Sequence, residues 1–201
     1  MAHPKEPGPR DNLVRKIGGN ILLLETLTPI GKAIHEEVAW IGSSAATSDK
    51  GDENPLVGMA CEAIENLLGL CFVICQVFIT DVVSVCYGIR LLAEGEPPKK
   101  KDLLATCSTR VSRTEYTQVQ ATDALANYFK HRDQWPSKEW PRKAPSKYTA
   151  QVISALGNKP GSTRNFRTGF EAVVGDSAYS DVARLGEVVE NWAAGLRNRC
   201  A

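Results

Sequence analysis

The apolar positions of the chain recur mostly with the period of an α-helix. Ile30, Ile34, Val38 and Ile41 are spaced by four, four and three residues, which places them on one helix face. A predicted helix over residues 181–197 carries a single apolar stripe. That stripe consists of Val182, Leu185, Val188, Val189, Trp192 and Leu196. Because the alternating runs typical of strands are scarce, the pattern predicts an all-α protein.

Start and stop signals divide this pattern into separate helices. Thr28 is predicted as an N-cap, with Pro29 at the first helical position. Ser177 or Ser180 is expected to cap the last helix. The predicted helices cover residues 11–25, 29–42, 56–95, 113–134, 148–156 and 181–197. Residues 158–167 are expected to form a turn-rich loop.

These helices predict an antiparallel bundle of four to five helices around one long central helix. The 201 residues match the length of one domain, so we assign residues 11–201 to a single helical-bundle domain. Residues 1–10 contain three prolines and are predicted to form a flexible N-terminal tail. An architecture of this kind does not by itself imply an activity.

The long central helix contains the one segment that resembles a membrane span. Residues 69–89 have the right length, and Arg90 with residues 99–101 forms a basic flank. Gln76 and Asp81 interrupt the apolar run, and an aspartate at the bilayer centre costs about 2.5–3.5 kcal/mol. We therefore favour a buried helix of a bundle, and a membrane-anchored protein is the less favoured alternative.

Composition excludes several classes of protein. The chain is 43% hydrophobic with a net charge of +1, which excludes a wholly disordered chain and a uniformly basic nucleic-acid coat. The charge is segregated, with −6 over residues 1–98, +6 over 99–147 and +1 over 148–201. Either the basic segment forms a surface that binds a partner, or the acidic and basic segments pair within one fold.

The six cysteines have no C-x-x-C spacing, so we predict no metal and no cofactor. Cys61, Cys71, Cys75 and Cys86 fall on one side of the long helix, where a disulfide between neighbours has poor geometry. They are predicted to be reduced and to pack as small apolar residues. Reduced cysteines indicate a cytoplasmic protein.

A polar constellation on the helix over 113–134 is the strongest candidate for chemistry. Asp123, Asn127 and His131 are spaced i, i+4, i+8 and therefore share a helix face, with Lys130 beside them. Such a group can hold an anion or move a proton, and the ordinary pKa of histidine suits acid–base catalysis near neutral pH. The alternative is a solvated helix face or a structural hydrogen-bond network.

Asn127, Lys130 and His131 also form an Asn-x-x-Lys-His signature late in the third main helix. An all-helical chain with this signature resembles the HEPN-type proteins, small helical bundles of prokaryotic toxin–antitoxin and other defence loci. Over residues 20–198, the resemblance implies a metal-independent endoribonuclease with an active site formed across a dimer. Catalytic members have an arginine separated from the histidine by four to six residues, whereas Ala, Leu and Ala occupy positions 124–126 here. The resemblance therefore implies RNA or protein binding but does not carry over the cleavage.

Basic and aromatic residues alternate after this helix, and residues 130–167 carry a net charge of +7. The candidate binding residues are Arg132, Trp135, Lys138, Trp140, Arg142, Lys143, Lys147, Arg164 and Arg167. Phosphate contacts from the cations and base stacking on tryptophan would bind single-stranded RNA. The same loop would also suit a protein partner, or its tryptophans would cap the open end of the bundle.

Two functions follow from these alternatives. The first is an RNA-binding HEPN-like protein, with a metal-independent ribonuclease as the enzyme class in which Asp123, Asn127, Lys130 and His131 would act. The second is a non-enzymatic interaction module, such as the partner or neutraliser of an effector. RNA, another protein or a second copy of the chain are the expected partners.

Overall fold

The structure is a computed structural model of the chain. It describes residues 8–16, 22–47, 55–92, 95–143, 146–175, 179 and 181–200. Within these ranges the protein consists of eight α-helices and one 3-10 turn, and the only strand-like pairing is an isolated bridge between Arg110 and Thr117. The prediction of an all-α protein is confirmed.

The described part of the chain contains eight α-helices, more than the four or five expected. They are α1 (Pro9–Lys16), α2 (Leu22–Thr47), α3 (Pro55–Leu92), α4 (Lys100–Ala105), α5 (Gln118–His131), α6 (Ser146–Ala155), α7 (Asn165–Val174) and α8 (Ala183–Cys200). The 3-10 turn Arg132–Gln134 continues from α5. Helix α1 begins at Pro9, two residues before the predicted domain boundary, and residues 1–7 of the predicted tail lie outside the described residues.

The long central helix is confirmed as α3, which has 38 residues and is about 57 Å long. It packs against α1, α2, α5, α7 and α8, so most of the core surrounds it. Pro55 is its first residue, where the missing N–H costs no hydrogen bond. Phe72, Cys75 and Ile79 on its inner face are fully buried.

Helix α3 also passes the length and composition test for a membrane span. Pro55–Leu91 is the one helix in the described ranges that does so, and 56% of its most apolar 18-residue window is buried inside the protein. A central helix in a protein core has the same length and composition, so these two properties do not decide between the two settings.

The predicted break at Thr28 and Pro29 is wrong. Helix α2 runs continuously through both residues, and Thr28 Oγ1 donates to the carbonyl of Leu24 at 2.8 Å instead of capping a new helix. Leu27 and Ile34, on either side of the proline, are both fully buried. Packing of this continuous apolar face therefore outweighs the one backbone hydrogen bond that a proline inside a helix removes.

Helix α5 begins five residues later than the predicted residue 113. Thr117 is its N-cap, and a capping box forms because Thr117 Oγ1 accepts from Gln120 N while Gln120 Oε1 accepts from Thr117 N. Arg113 has a φ of 61°, which is incompatible with a right-handed helix. The capping box of Thr117 and Gln120 can be recognised in the sequence. The helical spacing of apolar residues continues before Thr117, however, and therefore predicted an earlier start.

Helix α7 lies partly in the predicted loop over residues 158–167 and was not predicted. Its first turn follows a segment rich in Gly, Pro and Ser, which conceals the start of the helix. Phe166 and Phe170 are nevertheless buried at i, i+4 spacing. The last predicted helix is confirmed as α8, with a buried stripe from Leu185 to Leu196, whereas the expected caps at residues 177 and 180 lie outside the described residues.

The prediction that cysteines pack as small apolar residues is confirmed for Cys71, Cys75 and Cys86, which are buried and form no disulfide. Cys61 is half-buried and Cys107 is exposed. Burial raises the pKa of Cys71 to about 12 and also raises the pKa of Cys75. Since the thiolate is the reactive species, both thiols are poor nucleophiles in the folded protein.

We expect the exposed and buried cysteines to differ in their rate of alkylation. At pH 8, a thiol with a pKa of about 12 contains roughly a thousandfold less thiolate than one with the ordinary pKa of about 9. Treatment of the native protein with N-ethylmaleimide should label Cys107 within minutes and leave Cys71 and Cys75 unlabelled, as read by peptide mass spectrometry. A sample unfolded in urea is the control, in which all three should react. Labelling of Cys71 in the native protein at the rate of Cys107 would contradict the buried assignment.

Candidate functional site

The predicted constellation on α5 is divided between the interior and the surface. Asp123 is 7% exposed, and its Oδ1 accepts from Lys100 Nζ and from Gln76 Nε2, each at 2.8 Å. Gln76 Nε2 also donates to Asn127 Oδ1 at 3.0 Å. These bonds join α3, the start of α4 and α5. Asp123 and Asn127 therefore lie in a structural hydrogen-bond network, the alternative that the sequence left open.

Lys130 and His131 are exposed at the end of the same helix. Their side chains make none of the hydrogen bonds or ion pairs found in the described residues, whereas Asp123 is held by Lys100, Gln76 and Asn127. Both carboxylate oxygens of Asp123 accept hydrogen bonds within this network, Oδ2 from Asn127 Nδ2 at 3.5 Å, so neither is left unpaired for His131. The structure therefore does not bring the four residues together around one reacting atom.

Three of the predicted binding residues do meet, at a cavity of about 520 Å³ that we call the arginine cavity. Arg132 is the first residue of the 3-10 turn after α5, Arg164 directly precedes α7, and Arg167 lies in the first turn of α7. Tyr128 and Phe166 form part of its wall. Its remaining lining residues are Gly58, Cys61, Glu62, Glu65, Asn66, Ser162 and Thr163. A volume of this size lies in the range of small-ligand sites.

Glu65 of α3 fixes the position of α7 against the cavity. Its buried carboxylate accepts from Phe166 N at 2.8 Å, from Arg167 N at 3.3 Å and from Arg167 Nε at 2.7 Å. The carboxylate thus satisfies the free N–H groups of the first turn and faces the positive end of the helix dipole. Burial acts on Arg167 to lower its pKa, but the hydrogen bond and charge of Glu65 outweigh it and the pKa is raised.

The other two arginines of the cavity are freer than Arg167. The Arg132 guanidinium lies 4.9 Å from the centre of the Phe129 ring, and its Nε is 3.9 Å from Asp133 Oδ1. Arg164 is exposed. Because Arg167 is paired with Glu65, Arg132 and Arg164 are the cavity cations that can bind an anion.

The two tryptophans of the basic loop pack on the protein. Trp135 and Trp140 lie 5.9 Å apart, and their ring centres are 5.1 and 5.9 Å from that of Tyr128. Gly161, with a φ of 67°, lies so close to the Ser137 carbonyl that a Cβ would be 2.4 Å from its oxygen. The two tryptophan rings therefore cover the end of the core, which is the third alternative drawn from the sequence. The loop that contains Ser137 and the loop that contains Gly161 pack directly against each other.

The remaining predicted cations lie beyond this cap. Lys138, Arg142, Lys143 and Lys147 are exposed, and Arg142 is paired with Glu139 at 2.9 Å. Arg142 and Lys147 line a second, open cavity of about 770 Å³ together with Trp140. The two cavities are linked through packed aromatic rings, because Tyr128 of the arginine cavity lies 5.9 Å from Trp140 of the second cavity.

Sequence reasoning missed Glu65, Asn66, Tyr128 and Phe166. Asn66 Oδ1 is buried against the cavity without a hydrogen-bond partner in the described residues. Tyr128 is held by Asn165, whose amide donates to its hydroxyl at 3.0 Å. For Glu65 and Asn66 the sequence signal was a polar interruption of an apolar helix face. Such an interruption does not show that the partner of Glu65 is Phe166, 101 residues away.

Comparison of the chain with models of protein families, with curated proteins and with solved structures finds no match in any of the three. In the described residues, no group of three His, Cys, Asp or Glu side chains is placed to hold a metal ion. The site must therefore be interpreted from its own geometry.

Proposed function

We propose that the protein binds RNA through the arginine cavity and the adjoining basic loop. The observation that carries the proposal is the convergence of Arg132 and Arg164, from segments 32 residues apart, on one cavity with aromatic walls. Guanidinium groups recognise phosphate bidentately, and aromatic walls suit a base or ribose. The HEPN-like arrangement of the main helices as a four- or five-helix bundle belongs to the same proposal.

The surrounding charge supports an extended anionic partner. Residues 130–167 carry a net charge of +7, whereas residues 1–98 carry −6. Lys138, Lys143 and Lys147 are exposed in the same basic segment, and Lys147 lines the second cavity. None of the three forms an ion pair with an acidic side chain among the described residues. A polyanion that enters the cavity with one phosphate can therefore contact these lysines with the next ones.

Fluorescence anisotropy with a labelled single-stranded RNA of about 16 nucleotides tests the proposal. We expect affinity to fall steeply between about 50 and about 200 mM salt. Arg132→Ala and Arg164→Ala should each weaken binding and reduce the slope of log affinity against log salt by about 0.7. Lys32→Ala removes an exposed charge of α2 and is the matched control, which should bind like the wild type.

Two results would contradict RNA binding at this site. One is an affinity that does not change with salt, and the other is an equal loss for Lys32→Ala and Arg164→Ala. The same mixtures, incubated without added metal, report on cleavage. Exposed His131 directly precedes Arg132 and is the one acid–base group of the constellation outside the buried network. Equal cleavage by the wild type and His131→Ala would exclude a catalytic histidine.

A further inference from the structure

The outer face of α3 carries a seven-residue repeat, and only its half-buried members, such as Val73 and Tyr87, contact the core. Every seventh residue from Leu56 to Leu91, and every seventh from Met59 to Tyr87, is exposed or half-buried, and none is buried. Those two series occupy the a and d positions of a heptad, the pattern of helices that pack along one seam. We call this face the α3 seam.

Large apolar side chains project from the α3 seam into solvent. Leu56 is 55% exposed, Met59 66%, Leu70 41%, Val77 59% and Leu91 66%. Five exposed large apolar residues along one helix exceed the scattered single residues of an ordinary surface. The opposite face of the same helix supplies the core, so these five exposed side chains are not needed to fill it.

We infer that a second copy of the chain packs on the α3 seam, with the two α3 helices antiparallel. A two-fold axis near residue 75 pairs residues of the two copies whose numbers add up to 150. This pairing places each a position of one helix opposite a d position of the other, as in antiparallel coiled coils. This register places Met59 of one copy against Leu91 of the other, and Val73 against Val77. Each apolar side chain of these layers therefore meets another.

Two further layers of this register are complementary, and in a third Leu70 faces Thr80, whose hydroxyl donates to the Gln76 carbonyl of its own helix at 2.8 Å. Small Ala63 faces large Tyr87, and polar Asn66 faces polar Ser84. The register also brings Glu62 of one copy beside Arg90 of the other, and both are exposed in the single chain. Opposite charges at these flanking positions select an antiparallel partner, because in a parallel pair Glu62 and Arg90 would be about 42 Å apart.

The pairing has two consequences for the molecule. Glu62 and Asn66 line the arginine cavity, so the second copy would contribute Arg90 and Ser84 to its rim. The contact from Met59 to Leu91 is about 48 Å long and about 10 Å wide, or roughly 1,000 Å² for both copies together. That area is the lower limit for a specific interface, and we expect a reversible dimer with a micromolar Kd.

Sedimentation velocity on the full chain across the micromolar range tests the inference. We expect a concentration-dependent shift from 21.9 kDa to twice that mass. Val77→Glu should raise the dimer Kd by at least about 30-fold, because it buries an unpaired charge beside the axis. Circular dichroism controls for folding, and Val77 is exposed in the single chain. A chain that stays monomeric throughout, or a folded Val77→Glu that dimerises like the wild type, overturns the inference.

A charge exchange tests the register independently of that variant. Glu62→Arg and Arg90→Glu should each weaken the dimer by about 5-fold, and the double variant should restore it. Lys32→Glu, at an exposed position of α2, is the control for a general charge effect. A double variant as weak as the single ones overturns the antiparallel pairing, and so does a dimer that none of the exchanges affects.

Discussion

Replacement of Glu65 by alanine should lower the free energy of unfolding by about 3–5 kcal/mol. The Glu65 carboxylate is buried and accepts from the backbone of Phe166 and from both the backbone and the guanidinium of Arg167. Its removal leaves a mostly buried cation without its partner, together with two N–H groups of the first turn of α7. Urea unfolding followed by circular dichroism measures the loss.

Two variants show whether the loss arises from this ion pair. Glu65→Gln keeps the volume and one acceptor but removes the charge, so it should fall between the wild type and Glu65→Ala. Glu36→Ala removes a carboxylate whose contact with Lys32, at 3.9 Å, is exposed on both sides, and it should change stability by less than about 0.5 kcal/mol. Equal losses for Glu65→Ala and Glu36→Ala would contradict the role given to Glu65.

The sequence predicts those parts of the fold that depend on one helix alone. The central helix and α8 each bury one continuous apolar face, and their limits were placed to within three residues at each end. Pro29 and α7 were misjudged for a common reason. In both places, packing against α3 and its neighbours outweighs a local signal, either the proline or the Gly- and Pro-rich approach to the helix. Local propensity carries no information about that packing.

The candidate site was predictable in its composition but not in its assembly. Arg132, Arg164 and Arg167 were predicted as candidate binding residues because basic side chains are concentrated after α5. Their meeting at one cavity depends on Glu65, which is about a hundred residues earlier in the chain. For Asp123 the sequence left a catalytic and a structural role open, because its partner Gln76 is 47 residues away. Helical spacing shows which residues share a face, but the neighbour on that face decides whether a carboxylate is catalytic or structural.

Replacement of Trp192 by alanine should have an effect as large as that of Glu65→Ala, about 3–5 kcal/mol. The Trp192 ring is 1% exposed in the apolar stripe of α8, and its Nε1 donates to the Leu103 carbonyl at 3.0 Å. The variant loses this buried surface, leaves a cavity and breaks the hydrogen bond that joins α8 to α4. Urea unfolding at a fixed low protein concentration measures the loss without a contribution from self-association.

Matched variants separate the packing of Trp192 from its hydrogen bond. Trp192→Phe keeps most of the packing and loses the donor, so we expect a smaller loss of about 1–2 kcal/mol. Trp40→Ala makes the same change at a ring of α2 that is 39% exposed, and it should cost less than about 1 kcal/mol. If Trp40→Ala and Trp192→Ala are equally destabilising, the stripe of α8 does not form the core contact described above. If Trp192→Phe costs as much as alanine, the hydrogen bond to Leu103, rather than the ring, holds α4 against α8.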